Sequence, residues 1–245
     1  MAVFDCIYDS DILGHKTAFR AILPEDAEIS TAPVFYLLHG LDGTYMSWYD
    51  NTDLVPIAER YGVVMIMPDA KNSFYTDISG ARYYTQIARE LPKRAERYFN
   101  LKGERHIAGV SMGGHGAYKI ALLNPGMFKT VGSLSGVLDL QEHVNDAIDA
   151  RKTACMNAVF GDNFNLSHTD NDLFDLILRA NATNMRFYQF CGTGDFLFNI
   201  NRRFRDAARA SRLDLTYLEG EGDHTWPVWA RQIGHYVPWA IGAQY

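Results

Sequence analysis

The stretch His106-Ile107-Ala108-Gly109-Val110-Ser111-Met112-Gly113-Gly114-His115-Gly116-Ala117 decides the fold. The run Ile107 to Val110 is continuously apolar, as expected of a central strand buried on both faces. From Gly113 to Leu123 the pattern becomes helical. Between the two lies Gly109-Val110-Ser111-Met112-Gly113, a G-x-S-x-G sequence at a sharp strand-to-helix turn. A serine there sits in a strained backbone conformation, so the residues two positions away must not bring side chains into contact. Gly114, Gly116 and Ala117 keep the helix start close to the sheet. The helix N-terminus aims its free N–H groups, and the positive end of its dipole, at a developing negative charge. A Gly-rich phosphate-binding turn is the plain rival reading. The loop lacks both the P-loop lysine and the G-x-G-x-x-G spacing.

Outward from this turn, strands and helices alternate. Val3 to Tyr8 and Thr17 to Leu23 form an opening pair of strands. Val34 to Leu38, Val63 to Met67, His106 to Val110, Thr130 to Leu134, Met185 to Cys191 and Leu213 to Leu218 complete eight. Helical patterns cover Leu54 to Tyr61, Tyr83 to Phe99, Gly113 to Leu123, Ile200 to Ser211 and Val228 to Ile241. Pro92 should kink the second of these. The expectation is one α/β domain over residues 1–245, with a mostly parallel eight-stranded sheet and helices on both faces. The segment from Asp139 to Ala182 has no strand pattern and is expected to form a small cap insertion over the sheet's carboxyl edge.

A serine hydroxyl is a weak nucleophile and needs a base. In the α/β-hydrolase arrangement the chain order is Ser, acid, His. His224 follows the last strand in the Gly-rich stretch Glu219-Gly220-Glu221-Gly222-Asp223-His224, which places an imidazole over a strand end. His235 falls in a helical pattern, His143 and His168 lie in the insertion, and His115 projects along the helix after Ser111. The acid should close a preceding strand. Cys191-Gly192-Thr193-Gly194-Asp195 fits, with Asp139 as rival. Asp195 would accept the His224 Nδ1–H and stabilise the imidazolium. Two N–H groups should hold the oxyanion. One is Met112, after the nucleophile. The other comes from His39-Gly40-Leu41-Asp42-Gly43, with Leu41 preferred and Gly40 the neighbouring alternative. His39 is expected to act structurally. Trp48 and Tyr75 are candidate substrate-binding residues. Phe196, Leu197 and Phe198 are candidates for an apolar wall, and Trp226, Trp229 and Trp239 are expected in the core.

Composition narrows the class. Of 245 residues, 47% are hydrophobic, enough for a large core without metal or disulfide staples. The net charge of −6 and the lack of a basic patch argue against a nucleic-acid partner. Three cysteines, Cys6, Cys155 and Cys191, show no metal-ligand spacing. With no leader-like start and no apolar run of bilayer length, a cytoplasmic protein without a membrane partner is expected.

These residues together resemble the esterase D group of α/β-hydrolases, which includes S-formylglutathione hydrolases, and within it the bacterial tributyrin-esterase branch. The likeness rests on Tyr36 to Gly40 with Trp48, Met67-Pro68-Asp69, Tyr75-Thr76-Asp77, Glu90-Leu91-Pro92, Gly109 to Gly114, Gly192 to Leu197 with Arg203-Phe204, and Gly222 to Trp226. Residues 139–182 are poorly matched. The resemblance implies Ser111, Asp195 and His224 as the triad and Leu41 and Met112 as oxyanion donors. It also implies hydrolysis of short-chain carboxylic esters, no cofactor, and a homo-oligomer. The group spans acetyl, butyryl, feruloyl and S-formylglutathione substrates, so the substrate does not carry over.

Overall fold

The computed structural model describes residues 1–145, 150–162, 164–179, 184–211 and 213–243. In chain order the elements are β1 (Ala2–Asp9), β2 (Lys16–Leu23), β3 (Val34–Leu38), α1 (Ser47–Asn51), α2 (Leu54–Tyr61), β4 (Val64–Pro68), the two-residue strands β5 (Asp77–Ile78) and β6 (Ala81–Arg82), α3 (Tyr83–Thr85), a π-helical turn (Gln86–Glu90), α4 (Leu91–Phe99), β7 (Arg105–Val110), α5 (Met112–Leu123), β8 (Thr130–Leu134), α6 (Leu140–Asn145), α7 (Ala150–Phe160), α8 (Leu173–Arg179), β9 (Arg186–Gly192), α9 (Phe198–Ala210), β10 (Leu215–Gly220) and α10 (Trp226–Ile241).

All eight runs expected as strands lie in one sheet, ordered β1-β2-β4-β3-β7-β8-β9-β10. The β1/β2 and β2/β4 pairings are antiparallel, and every later pairing is parallel. Strand β3 shows why the central runs are apolar without alternation. Tyr36 and Leu38 pack on one face with Ile107, Leu91 of α4, Ile120 of α5 and Phe204 of α9. Phe35 and Leu37 pack on the other with Leu54 of α2 and Ile233 and Val237 of α10. A strand covered on both faces buries every side chain, as β3, β4 and β8 do.

Two details add to the sequence reading. Pro92 lies in the first turn of α4, and the chain widens into the π turn just before it. Pro92 has no N–H to donate, and its ring crowds the carbonyl four residues back. The wider turn gives that ring room. Helix α1 and the β5/β6 hairpin carry no periodic signal because each is too short for one.

Among the described residues of 139–182 there are three helices and no strand. Helix α8 packs on α5 and α9, with Phe174 edge-on to Phe204 at 5.3 Å. Helix α7 brings Phe160 within 5.9 Å of Phe74. Among the described residues no helix is long and apolar enough to cross a membrane.

Candidate active site

Ser111 occupies the turn between β7 and α5 with φ 55° and ψ −118°. This is a sparsely populated conformation for a residue with a Cβ, costing about 1–3 kcal/mol. The surroundings over-determine it. Ser111 N–H donates to Leu134 O at 3.1 Å, and Ser111 O accepts from Gly114 N–H at 3.0 Å and Val137 N–H at 3.2 Å. The flanking glycines are steric necessities. A Cβ on Gly109 would collide with the backbone of Gly113, and one on Gly113 would collide with Leu38 O.

Two loops bring the partners over this serine. His224 Nε2 lies 3.0 Å from Ser111 Oγ. Its Nδ1 lies 2.9 Å from Asp195 Oδ2 and 3.1 Å from Oδ1. Asp195 is buried, and its Oδ1 also accepts from Leu197 N–H at 2.8 Å. The carboxylate therefore fixes the tautomer. Nδ1 carries the proton, and Nε2 is left to accept one from the serine. The two loops are stitched together by Thr193 N–H to Gly220 O at 2.8 Å and Gly194 N–H to Gly222 O at 3.0 Å. His224 sits between Phe196, at 4.5 Å between ring centroids, and Trp229, edge-on at 4.8 Å.

The other side is the loop after β3. Gly40 lies against Ser111 and Val110, and Leu41 lines the cavity with Gly40, Asp42 and Gly43. Among the described residues Leu41 N–H has no protein acceptor. Met112 N–H opens α5 and has no carbonyl within the helix to reach. His39 is fully buried and structural, as expected. It accepts from Ala70 N–H on Nε2 at 3.0 Å and donates from Nδ1 to Gly40 O at 2.7 Å. Burial holds its pKa below the ordinary histidine value.

The cavity over Ser111 has a volume of about 590 Å³. Leu41, His143, Phe196, Trp226 and Trp229 supply much of its wall. Trp48 and Tyr75, expected to bind substrate, are corrected: both are fully buried and neither lines the cavity. Their polar atoms are committed inward, Trp48 Nε1–H to Leu38 O at 3.0 Å and Tyr75 O–H to His39 O at 2.9 Å. Of the three residues expected to form an apolar wall, Phe196 does so, while Leu197 is buried beneath it.

The rival residues lie elsewhere. Asp139 caps Glu142 N–H at 3.0 Å and reaches Arg203 at 3.4 Å. His168 is exposed and pairs with Asp175, and His235 is exposed on α10. His115 is buried, its Nδ1–H donating to Val137 O at 3.1 Å, and burial pushes its pKa down to about 3. Sequence reasoning missed His143, Trp226 and Trp229 as cavity residues. The two tryptophans follow His224 within one and a half helical turns, which was the available signal. For His143 there was none. Among the described residues no cluster of three His, Cys, Asp or Glu side chains is placed to hold a metal ion.

The chain is similar over nearly its whole length to known esterases and serine hydrolases. An acetyl esterase from Caldicellulosiruptor saccharolyticus is 29% identical over 260 aligned residues, covering 98% of each chain. The solved structure of the fluorophosphonate-binding serine hydrolase F of Staphylococcus aureus superposes with a TM-score of 0.89 at 26% identity, covering 98% of both chains. An S-formylglutathione hydrolase from Staphylococcus aureus gives 0.87 at 26% identity with the same coverage. The sequence profile of the Esterase family matches residues 10–240. The chain therefore belongs to the Esterase family, in the esterase D group of α/β-hydrolases.

Proposed function

We propose that this serine esterase hydrolyses short-chain acyl esters with Ser111 as nucleophile, His224 as general base and acid, and Asp195 as its orienting carboxylate. The observation that carries the reading is the unbroken run from Asp195 Oδ2 through His224 to Ser111 Oγ, at 2.9 and 3.0 Å, opening into the cavity. Ser111 Oγ attacks the ester carbonyl carbon while His224 Nε2 takes the hydroxyl proton. The carbonyl oxygen becomes an oxyanion held by Leu41 and Met112 N–H. Collapse breaks the bond to the alcohol, which leaves with the proton from His224. Water then attacks the acyl-serine by the same steps in reverse, releasing the acid.

In this reading residues 1–245 are one domain, and segment 139–182 is its cap, contributing His143 to the cavity. We also place the enzyme in the cytoplasm as a homo-oligomer. The free thiols of Cys6 and Cys191 suit a reducing compartment.

Ser111→Ala should stay folded and lose p-nitrophenyl acetate hydrolysis by about 10⁴-fold or more. A fluorophosphonate probe should label the parent and not the variant. Retained activity would sink the assignment. The likeness to an S-formylglutathione hydrolase favours a second substrate reading, a small thioester. A panel of acetyl, butyryl and feruloyl esters with S-formylglutathione, ranked by kcat/KM, separates the two.

A further inference from the structure

Three consecutive carbonyls leave the end of β3, and each is held by a different buried side chain. Leu38 O accepts from Trp48 Nε1–H, His39 O from Tyr75 O–H, and Gly40 O from His39 Nδ1–H. Gly43 N–H adds a second bond to Gly40 O at 3.1 Å. The next amide in line is Leu41 N–H. The first turn of α5 lies directly against the same peptides, since a Cβ on Gly113 would meet both Leu38 O and His39 O. Any shift of Leu38 or His39 therefore moves Leu41 N–H relative to Met112 N–H.

Tyr75 is presented by a turn that would not hold itself. Phe74 and Tyr75 have φ of 49° and 51°, left-handed values that bulky residues adopt only when held there. Ser73 Oγ accepts from Tyr75 N–H at 3.1 Å, and Ser73 O from Thr76 N–H at 3.0 Å. From α5, Lys119 Nζ donates to Thr76 Oγ1 at 2.7 Å. The Tyr75 ring fits against Gly116, where a Cβ would collide with it. The strained turn is thus fastened at two points to the helix that begins at the nucleophile.

We propose that Tyr75, seconded by Trp48, is a positioning residue for the oxyanion site: its hydroxyl sets the His39 peptide and through it the separation of the two donor amides. The inference rests on reading Leu41 and Met112 as those donors. Tyr75→Phe removes one hydroxyl and keeps the ring against Gly116. Its kcat on p-nitrophenyl acetate should fall about tenfold with KM unchanged, below the 10²–10³ expected when a donor itself is lost. Affinity for a trifluoromethyl ketone, which forms a tetrahedral oxyanion on Ser111, should fall by a similar factor. Trp48→Phe should give the same signature at smaller size, and it decides the matter if a thermal melt shows Tyr75→Phe unfolded at assay temperature. A rise in KM alone, a kcat loss with unchanged ketone affinity, or no change in either variant would overturn the proposal. Ser111→Ala, assayed alongside, reports separately on the reading beneath it.

Discussion

Asp195 and Phe196 are neighbours in the chain, yet they belong to opposite kinds of wall around one cavity. Asp195 is buried and spends its carboxylate on His224 and Leu197 N–H. Phe196 is 60% exposed and lies against two rings, His224 at 4.5 Å and His143 at 6.2 Å between centroids. The Asp195 side extends through Ser111 to the loop after β3, where carbonyls are gripped by buried donors. The Phe196 side is a rim of partly exposed aromatics drawn from α10 and the insertion. Under the proposed function, proton transfer and oxyanion binding depend on angles and tenths of an ångström, which a buried polar frame holds. Choosing among acyl or alcohol groups needs only shape and apolar area, which an exposed rim supplies and can vary cheaply.

The sharpest way to break that contrast is Asp195→Asn, which keeps shape and burial. The asparagine Oδ1 would still serve Leu197 N–H, turning its NH₂ toward His224 Nδ1. That favours the tautomer with the proton on Nε2, which can no longer accept one from Ser111. We expect kcat to fall by about 10³–10⁴ with KM and melting temperature nearly unchanged. A loss below about tenfold, measured by initial rates on p-nitrophenyl acetate, would mean the buried frame does not control the base.

The same contrast explains which features are legible in the sequence. The central strands were legible because burial on both faces leaves an apolar run, as in Val34 to Leu38. The meeting of Ser111, Asp195 and His224 was legible because each follows a strand in a Gly-bearing turn. Trp48 and Tyr75 were misplaced because their aromatic character says nothing about which way a loop turns them. Sequence shows an amphipathic ring; only the fold shows that its polar atom is spent on a carbonyl of β3 or the residue after it. His143 was unreadable for a related reason, since which side chain of the short helix α6 reaches the cavity is set by the fold and not by any local pattern.

Lys119 tests how far the buried frame extends below the site. It is 2% exposed, and its Nζ donates to Thr76 Oγ1 and Asn171 Oδ1, each at 2.7 Å. Burial lowers its pKa from 10.5 to about 7, against the opposing pull of Asp170 and Asp77. Between those two values the unfolded chain holds a proton that the folded chain has released. Stability from this group therefore rises with pH from about 7 toward 10.5. Against Lys119→Met, the parent's melting temperature should gain on the order of a few degrees between pH 6 and pH 9. The sign is checked by differential scanning calorimetry of both proteins across that range. A constant or shrinking difference would show that the ammonium stays charged in the fold.

Phe196→Ala should have the smallest effect, and its form matters more than its size. An exposed ring contributes little to stability, so the melting temperature should hardly move. If the rim only selects, KM should rise a few-fold for esters with bulky groups and stay near the parent value for ethyl acetate, with kcat preserved for both. One apolar contact in a pocket is worth about 1–3 kcal/mol, which bounds the selectivity change at roughly 10–200-fold. The ring also lies against His224, however, and that contact offers a different outcome. A fall in kcat common to every ester would mean that Phe196 holds the imidazole in line with Ser111. The exposed wall would then be part of the frame, and the division between the two walls would run outside Phe196, at His143 and Trp226. Comparing kcat and KM separately over the ester series tells these apart, because a selective contact changes the ranking of substrates and a positioning contact does not.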